Sequence, residues 1–241
     1  RMREETEFKP KPMVEIGGRP VLWHLMNSLS AQGISDFVVL AGYKARLIKE
    51  YFLHLNEYNN DFTISAGETG EVKILGKSTS NWTVSVLDTG RDTETGSRLA
   101  QAEKVLGSEA FFCTYGDGLA SVSLSDLLSS HQSAARTGTV TVTHPTNRFG
   151  VVSVDENSAV TSFDEKPRMR DLVNIGFFIF EREVFASLGK NESLETGLLH
   201  QLASTGQLNA YKHSGFWEPM DTYREYVRLN MMWESGETPW L

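Results

Sequence analysis

The sequence has 241 residues, of which 40% are hydrophobic and 22% are charged, and its formal net charge is −8. This composition excludes wholesale disorder, and no apolar run approaches the roughly 18–20 residues that a membrane-spanning helix needs. The acidic balance argues against nucleic-acid binding. A single cysteine, Cys113, excludes an internal disulfide and a thiolate zinc site. We therefore expect a cytoplasmic globular protein with neither a nucleic-acid nor a membrane partner.

The chain opens on a charged stretch that prolines interrupt, Lys9-Pro10-Lys11-Pro12. No initiator methionine, apolar signal segment or cleavage site stands before it. Because such loops normally follow a strand or helix, we expect the sequence to start inside a longer chain.

Apolar periodicity then alternates along the chain between helical and extended segments. It predicts helices at 20–32, 44–55 and 223–233, buried strands at 37–41 and 110–114, further strands at 139–144, 150–154 and 176–180, and an edge strand at 82–87. This alternation is typical of an α/β fold in which helices cover a mainly parallel sheet. No linker or internal repeat interrupts it, so we expect one domain over residues 1–241.

Asp117 lies in Tyr115-Gly116-Asp117-Gly118, just past the end of the buried strand at 110–114. Open α/β sheets bind ligands beyond the carboxyl ends of their strands, and the flanking glycines leave room for a phosphate or a metal. An ordinary Asp-Gly turn that binds no ligand explains the same tripeptide equally well.

Asp221 provides a second carboxylate, immediately before the last predicted helix. It could simply cap that helix. However, Thr222 and Glu225 have the spacing of a capping box, which leaves Asp221 free to point elsewhere. Two carboxylates from separate element ends form a plausible Mg²⁺ site, since that ion takes one or two carboxylates together with substrate phosphates.

Two groups of basic residues lie in predicted loops. The prolines around Lys11 would hold its ammonium in place for a phosphate, although a solvated cluster with Lys9 is the simpler interpretation. The hydroxyl- and glycine-rich segment 88–98 opens a helix whose N-terminus could bind an anion, with Arg98 adding a two-pronged donor. An ordinary capped loop is again the alternative.

Several common catalytic motifs are absent. The sequence contains no P-loop, no Gly-x-Ser-x-Gly nucleophile elbow and no histidine pair at metal-ligand spacing. Cys113 lies within a predicted strand, where it is better explained as a small core residue than as a nucleophile.

Four segments together resemble the sugar-1-phosphate nucleotidyltransferases. They are Lys11-Pro12-Met13-Val14-Glu15-Ile16-Gly17-Gly18-Arg19-Pro20, Tyr115-Gly116-Asp117-Gly118, Glu165-Lys166-Pro167 and Phe216-Trp217-Glu218-Pro219-Met220-Asp221-Thr222. The resemblance covers essentially the whole chain. It implies a Rossmann-like mixed, mainly parallel sheet with a sugar-facing subdomain within about 139–220.

The branch of that family that the chain resembles most transfers a cytidylyl group from CTP to α-D-glucose 1-phosphate, giving CDP-glucose and pyrophosphate. The resemblance implies Mg²⁺ as cofactor and a homo-oligomer as the assembly. Transfer of a uridylyl or thymidylyl group to the same sugar phosphate, or a homologue that binds sugar nucleotides without catalysis, stays open as an alternative.

The resemblance also assigns roles to individual residues. Asp117 and Asp221 would bind the metal, and Arg1 and Lys11 would neutralise the nucleotide phosphates as the catalytic cations. The residues that would bind the sugar phosphate are Glu165, Lys166 and Asn174. The further nucleotide-binding residues are Thr93, Arg98 and Gly116.

Two departures from the family pattern are visible. The family's opening strand and glycine-rich Leu-Ala-Gly-Gly-x-Gly-Thr-Arg loop would lie before Arg1, so the given sequence lacks both. In addition, Ile175 stands where the family usually has glycine, and we expect its branched side chain to perturb the sugar pocket.

Overall fold

The computed structural model describes residues 8–67, 70–76 and 80–241. Its α-helices are α1 (Val21–Ala31), α2 (Ala45–Leu53), α3 (Leu55–Asn59), α4 (Thr95–Ala102), α5 (Leu124–Ala134), α6 (His200–Ser204) and α7 (Tyr223–Ser235). Its strands are β1 (Glu15–Ile16), β2 (Arg19–Pro20), β3 (Asp36–Ala41), β4 (Phe62–Ile64), β5 (Val72–Ile74), β6 (Thr83–Asp88), β7 (Phe111–Thr114), β8 (Gly118–Ala120), β9 (Gly138–Thr143), β10 (Val151–Val154), β11 (Val160–Asp164), β12 (Val173–Phe180), β13 (Leu208–Lys212) and β14 (Trp217–Pro219). Short 3-10 helices occur at Lys11–Met13 and Arg182–Ser187, and a short π-helix occurs at Glu195–Leu199.

Helix α1 shows how the predicted helices form. Pro20 precedes its first turn, and Leu22, Leu25, Met26 and Leu29 recur at helical spacing on one buried stripe. The helix ends before Gly33, whose φ of +98° favours glycine. This prediction is confirmed, as are the helices that become α2 and α7.

The sheets are mixed, as the resemblance implied, and most strand pairs of the described residues are antiparallel. The largest sheet of the described residues has the order β13-β9-β12-β7, in which only β13 and β9 are parallel. Strands β3 and β6 form a separate parallel pair, with β6 at its edge as predicted. The α/β class itself is confirmed.

The core consists of three apolar clusters. One joins α1, β8, β12 and α7, a second joins α4, β9, β12 and α6, and a third lies between α1 and α2. Within them Phe178 and Phe180 of β12 stack on each other and are fully buried. Phe177 and Ile179 of the same strand point the other way into the first cluster, so β12 buries apolar side chains on both faces inside the large sheet.

Strands β3 and β7 were predicted to be buried, but their side chains are only half-buried. Both strands line one apolar cavity of about 970 Å³. Among the described residues β3 pairs only with β6, and β7 pairs only with β12. Each strand therefore has an unpaired edge, and this explains why burial is incomplete.

Among the described residues, no helix is long and apolar enough to cross a lipid bilayer.

Candidate active site

A short strand pair that the sequence did not predict brings Asp117 and Asp221 together. Strands β8 and β14 run antiparallel with Pro219 opposite Gly118. The next rung follows directly, because the Met220 backbone N–H donates to the Asp117 carbonyl oxygen at 2.8 Å. Two carboxylates more than one hundred residues apart in sequence thus lie at the same end of this ribbon.

Lys11 lies between the two carboxylates. Its Nζ is 3.0 Å from Asp117 Oδ2 and 2.5 Å from Asp221 Oδ1. The segment Lys11–Met13 forms a 3-10 turn that starts after Pro10, whose φ is −67°. Pro12 packs on Gly116 so closely that a Cβ there would lie 3.1 Å from Pro12 Cγ. This glycine therefore lets the lysine-bearing turn approach the Asp117 turn.

Two opposing effects act on the Lys11 ammonium. Partial burial lowers its pKa, but the hydrogen bonds and negative charges of Asp221 and Asp117 outweigh burial, so the pKa is raised above the ordinary lysine value. Lys11 is consequently a permanent cation at neutral pH. Lys9 has a different partner, since its Nζ forms a surface ion pair with Glu15 at 2.5 Å.

The start of α7 confirms the capping box. The Thr222 hydroxyl accepts from the Glu225 backbone N–H, and Glu225 Oε2 accepts from the backbone N–H groups of Thr222 at 2.9 Å and Asp221 at 2.7 Å. Arg148 also donates to Glu225 Oε1 at 2.8 Å. The helix is thus capped without the Asp221 carboxylate, which contacts Lys11 instead.

The carboxylate pair fits a hard divalent cation. Both side chains are partly exposed, and both offer oxygen ligands to the same point, where a lysine cation already lies. Within the described ranges no third His, Cys, Asp or Glu joins them. Substrate phosphate oxygens would therefore have to complete the ligand shell of such an ion.

A cavity of about 250 Å³ adjoins the pair. Asn174 lines it, and its Oδ1 accepts from the Gly176 backbone N–H at 2.8 Å. Ile175 also lines it, although most of that side chain is buried in the core. The remaining lining residues are Thr114, Tyr115, Asp117, Gly118, Phe177, Trp217, Pro219 and Asp221.

Tyr115 is a site residue that the sequence analysis missed. Its hydroxyl donates to Glu195, and burial together with this carboxylate raises the pKa of the tyrosine far above its ordinary value. Gly176 has φ +83°, and a Cβ there would overlap the Tyr115 ring. The one sequence signal that could have indicated Tyr115 as a cavity-lining residue is its place directly before Gly116 and Asp117.

Three of the predicted nucleotide-binding residues line the larger cavity. Lys11, Arg98 and Gly116 line it together with the ends of β3 and β7. Its interior is apolar, formed by β3, β7 and the inward faces of α1, α4 and α5. Arg1 lies outside the described residues.

Arg98 and Thr93 organise the loop that carries them. Arg98 donates to Thr89 Oγ1 at 2.7 Å and to the carbonyl oxygens of Gly90 and Arg91, and Thr93 Oγ1 donates to the Thr89 carbonyl oxygen at 2.6 Å. The Arg98 guanidinium thus makes three hydrogen bonds within the loop, and its contact with the nucleotide stays a prediction.

The start of α4 is also covered. The Ser97 backbone N–H donates to the Glu192 carbonyl oxygen at 3.2 Å, and Thr95 Oγ1 donates to Glu195 Oε2 at 3.2 Å. The N-terminus of this helix, for which the sequence left an anion site and an ordinary capped loop open, packs on the 192–195 segment of the chain itself.

Glu165 and Lys166 do not line the cavity beside the carboxylate pair. They form an ion pair with each other at 2.8 Å, and both are exposed where the chain leaves β11. Lys166 lines a different cavity, of about 840 Å³, whose walls include Arg148 and Trp217. The structure thus brings Lys11, Gly116, Asp117, Asn174 and Asp221 together, and it leaves Glu165 and Lys166 outside this group.

Comparison with known proteins gives consistent results. Residues 1–235 match the nucleotidyl transferase family. The chain is 41% identical over 242 residues to a probable glucose-1-phosphate cytidylyltransferase of Bacillus subtilis (strain 168), covering 100% of this chain and 94% of the relative. A glucose-1-phosphate cytidylyltransferase of Salmonella typhi is also 41% identical, over 243 residues with the same coverage.

Solved structures share the fold. HddC from Yersinia pseudotuberculosis complexed with GMP-PN superposes with a TM-score of 0.68 at 20% identity, covering 93% of this chain and 90% of that one. A UDP-glucose pyrophosphorylase complexed with UDP-glucose gives a TM-score of 0.65 at 18% identity, covering 96% and 95%. Because the sequence match spans almost the whole chain and the fold agrees, the chain belongs to the nucleotidyl transferase family.

Proposed function

We propose that the chain transfers a cytidylyl group from CTP to α-D-glucose 1-phosphate, releasing CDP-glucose and pyrophosphate. The observation that carries this proposal is the convergence of Asp117 and Asp221 on Lys11 in a chain 41% identical to cytidylyltransferases of this type. Two anions must meet in the reaction, and a carboxylate pair with an adjacent ammonium is suited to binding a cation and phosphates together.

The chemistry needs little acid or base catalysis. A phosphate oxygen of the sugar substrate forms a bond to the α-phosphorus of CTP, and the bond from that phosphorus to the bridging oxygen breaks, so pyrophosphate leaves with the electron pair. The attacking monoester is largely ionised at neutral pH, because its second pKa is about 6. The protein therefore has to align two anions and offset their repulsion.

Asp117 and Asp221 would hold Mg²⁺, which reduces the charge on the phosphates and polarises the phosphorus–oxygen bonds when bound. In this arrangement Lys11 keeps its proton and donates to phosphate oxygens instead of to the carboxylates. We assign Gly116 to close approach of the nucleotide, and Arg98 and Thr93 to shaping the loop beside it.

We place the hexose in the 250 Å³ cavity. Asn174 offers an amide to sugar hydroxyls there, and Tyr115 and Trp217 provide apolar ring surface. Glu165 and Lys166 lie on the exposed connection after β11, so we propose that they reach the sugar phosphate only when that segment closes over bound substrate.

We further propose that an extended apolar strand lies between β3 and β7 in the working enzyme. Both strands line the 970 Å³ cavity, and among the described residues each pairs with a neighbour along one edge alone. A strand of about six residues, roughly 20 Å long, would match the six residues of β3. If it runs parallel to β3, its C-terminal end emerges beside Arg98 and Lys11.

The cysteine that lines the cavity tests this strand. A polypeptide that carries the strand should shield Cys113 from a small apolar thiol reagent, compared with the 241-residue chain. Equal labelling of the two polypeptides would contradict the proposed strand.

Pyrophosphate release tests the reaction. We expect glucose 1-phosphate to support release with CTP more rapidly than with UTP or dTTP. Asp117→Asn and Asp221→Asn should each lower turnover by about 10³-fold or more, since each removes a ligand charge, whereas Asp126→Asn at the start of α5 serves as the control. An Asp221→Asn variant with full activity and unchanged Mg²⁺-dependent nucleotide binding in calorimetry would reduce Asp221 to a helix-end residue.

A further inference from the structure

The ring of Tyr115 is held from several sides at the wall of the 250 Å³ cavity. It packs edge-on against the buried Phe178 ring, with the ring centres 5.6 Å apart. Gly176 has φ +83°, and its lack of a Cβ lets the Tyr115 ring approach its backbone. The Tyr115 backbone N–H also donates to the Gly176 carbonyl oxygen at 3.2 Å. Packing of the ring therefore determines where the tyrosine hydroxyl lies.

Glu195 binds that hydroxyl, although it is not among the residues that line the cavity. Its Oε1 accepts from the Tyr115 hydroxyl, and its Oε2 accepts from Thr95 Oγ1 at 3.2 Å. The Thr95 hydroxyl oxygen in turn accepts from the Leu194 backbone N–H at 2.8 Å. Donors to both oxygens thus hold the carboxylate in place between the start of α4 and the cavity wall.

A π-helical turn carries Glu195. It covers Glu195–Leu199, and the Leu199 backbone N–H donates to the Leu194 carbonyl oxygen, five residues back, at 2.9 Å. Such turns are rare and occur frequently at functional sites. The buried side chains of Leu194 and Leu198 anchor the turn in the second core cluster. Core packing therefore does not explain the carboxylate at position 195.

The hydrogen bond between Tyr115 and Glu195 has a defined direction. Partial burial alone would raise the pKa of Glu195, but the hydrogen bond from Tyr115, with weaker ones from backbone and neighbouring hydroxyls, outweighs it and lowers this pKa. An ionised carboxylate can only accept, so the tyrosine must donate its single proton. Burial and the adjacent carboxylate raise the pKa of Tyr115, so it keeps that proton at neutral pH.

Asn174 lines the cavity beside this pair. Its Oδ1 accepts from the Gly176 backbone N–H at 2.8 Å, which leaves its amide N–H groups to donate. The Asn174 side chain hydrogen-bonds to the Tyr115 hydroxyl, and this contact lowers the tyrosine pKa, as an N–H donor does. The amide has a second N–H, and the tyrosine oxygen has a second lone pair. The cavity wall thus presents a hydrogen-bond acceptor next to a donor.

We propose that Glu195 is a positioning residue for sugar recognition. By taking the Tyr115 proton, it makes the tyrosine oxygen an acceptor for one hydroxyl of the hexose, while Asn174 donates to an adjacent hydroxyl. Without the carboxylate, the tyrosine proton can turn toward the cavity and oppose the proton of the sugar hydroxyl. The identity of the sugar rests on the proposed function, whereas the link between Glu195 and Tyr115 does not.

Nuclear magnetic resonance of the substrate-free chain, labelled at the hydroxyl-bearing ring carbon of tyrosine, tests that link at neutral pH. Tyr115→Phe assigns the Tyr115 signal. Glu195→Gln should shift this signal, because the amide no longer accepts as a charged group. Glu192→Gln removes an exposed carboxylate three residues earlier in the same segment and should leave the signal at its wild-type position. An equal effect of the two glutamine variants, or no effect of either, would overturn the proposed role.

Kinetics with glucose 1-phosphate and CTP test the consequence for the sugar. Glu195→Gln and Tyr115→Phe should each raise the KM for the sugar phosphate about tenfold and leave the KM for CTP within about twofold, the scale of one lost hydrogen bond. The double variant should be no worse than Tyr115→Phe alone, because the two groups act as one unit. Additive losses, or an equal rise in the KM for CTP, would contradict positioning through the tyrosine.

Deoxyfluoro analogues of glucose 1-phosphate test the direction of the hydrogen bond, since fluorine cannot donate. Replacing each hydroxyl in turn, one analogue should bind about tenfold more weakly to wild type, and this penalty should disappear in Tyr115→Phe. A penalty that persists there would show that Tyr115 accepts no sugar proton and would refute the assignment.

Two controls complete the experiment. Circular dichroism checks folding, and Glu195→Asp, which keeps the charge but withdraws the carboxylate by one methylene, should raise the sugar-phosphate KM to an intermediate degree. An Asp variant equal to wild type would argue for charge alone and against positioning. If wild type releases no pyrophosphate from CTP with glucose 1-phosphate, the proposed function fails, and the resonance of Tyr115 still decides the role of Glu195.

Discussion

Lys11→Ala tests how the cation between the carboxylates contributes to catalysis. In the wild type its Nζ contacts Asp117 at 3.0 Å and Asp221 at 2.5 Å, at a position that the prolines and the Gly116 contact fix. A preorganised donor of this kind stabilises charge mainly in the transition state. Its removal should lower kcat and kcat/KM together by about 10²–10³-fold, or about 3–4 kcal/mol.

The same substitution should have the opposite effect on metal binding. The ammonium repels a divalent cation that uses Asp117 and Asp221 as ligands, and two unit charges about 4 Å apart interact by about 4 kcal/mol near a protein surface. Since a third of the Lys11 side chain is exposed, solvent screening reduces this repulsion, and we expect Mg²⁺ to bind about tenfold tighter, or ~1.4 kcal/mol. Calorimetric titration of Mg²⁺ without substrates measures this change.

Lys9→Ala is the matched control. It removes an ammonium two residues away, but that ammonium is paired with Glu15 on the surface, and such pairs contribute roughly 0–1 kcal/mol. Lys9→Ala should therefore match wild type in kcat and in Mg²⁺ affinity. If the two variants behave alike in both measurements, the lysines form a solvated basic cluster and the assignment of Lys11 is wrong.

Three further predictions concern pH and stability. The pKa of Lys11 is raised in the folded protein, so its pairing stabilises the fold fully below the ordinary lysine pKa of about 10.4 and less as pH rises through the folded-state pKa. The difference in unfolding free energy between wild type and Lys11→Met should therefore be constant from pH 7 to 9 and shrink above pH 10. Burial raises the pKa of Cys113 to about 12, so its alkylation rate should rise about tenfold per pH unit from pH 7 to 10 in the native protein; a plateau near pH 9 would contradict this. Thr222→Ala should cost about 1 kcal/mol in urea unfolding through loss of the α7 cap, and an equal loss in Thr222→Ser would argue against the cap.

Local sequence signals predicted the elements that local physics determines. The apolar stripe of α1 and the Thr222–Glu225 capping box each lie within a few residues, so spacing alone identified them. The capping box also showed correctly that α7 does not need Asp221 as its cap. The two prolines around Lys11 are likewise visible in the sequence. In the structure Lys11 contacts both carboxylates, whereas Lys9 pairs with Glu15.

Long-range pairing decided what sequence patterns could not predict. Strands β8 and β14 have three residues each and no clear alternation, yet their register brings Asp117 next to Asp221. The hydrogen bonds of Arg98 within its own loop were not predicted, because their acceptors, the carbonyl oxygens of Gly90 and Arg91, depend on loop conformation and not on residue type. The half-burial of β3 and β7 likewise depends on which strand edges are paired in space.

The charges at the site explain how an acidic chain can bind two anionic substrates. Asp117 and Asp221 contribute two negative charges and Lys11 one positive charge, so the three groups together retain one negative charge. That residual charge repels a free nucleotide and favours one already neutralised by a divalent cation. If the carboxylates hold such a cation, as proposed above, the balance would become positive, and the Lys11 ammonium would be available to donate to phosphate oxygens. In the structure the lysine pairs with both carboxylates; with substrates bound, its positive charge would offset the repulsion between the two phosphates.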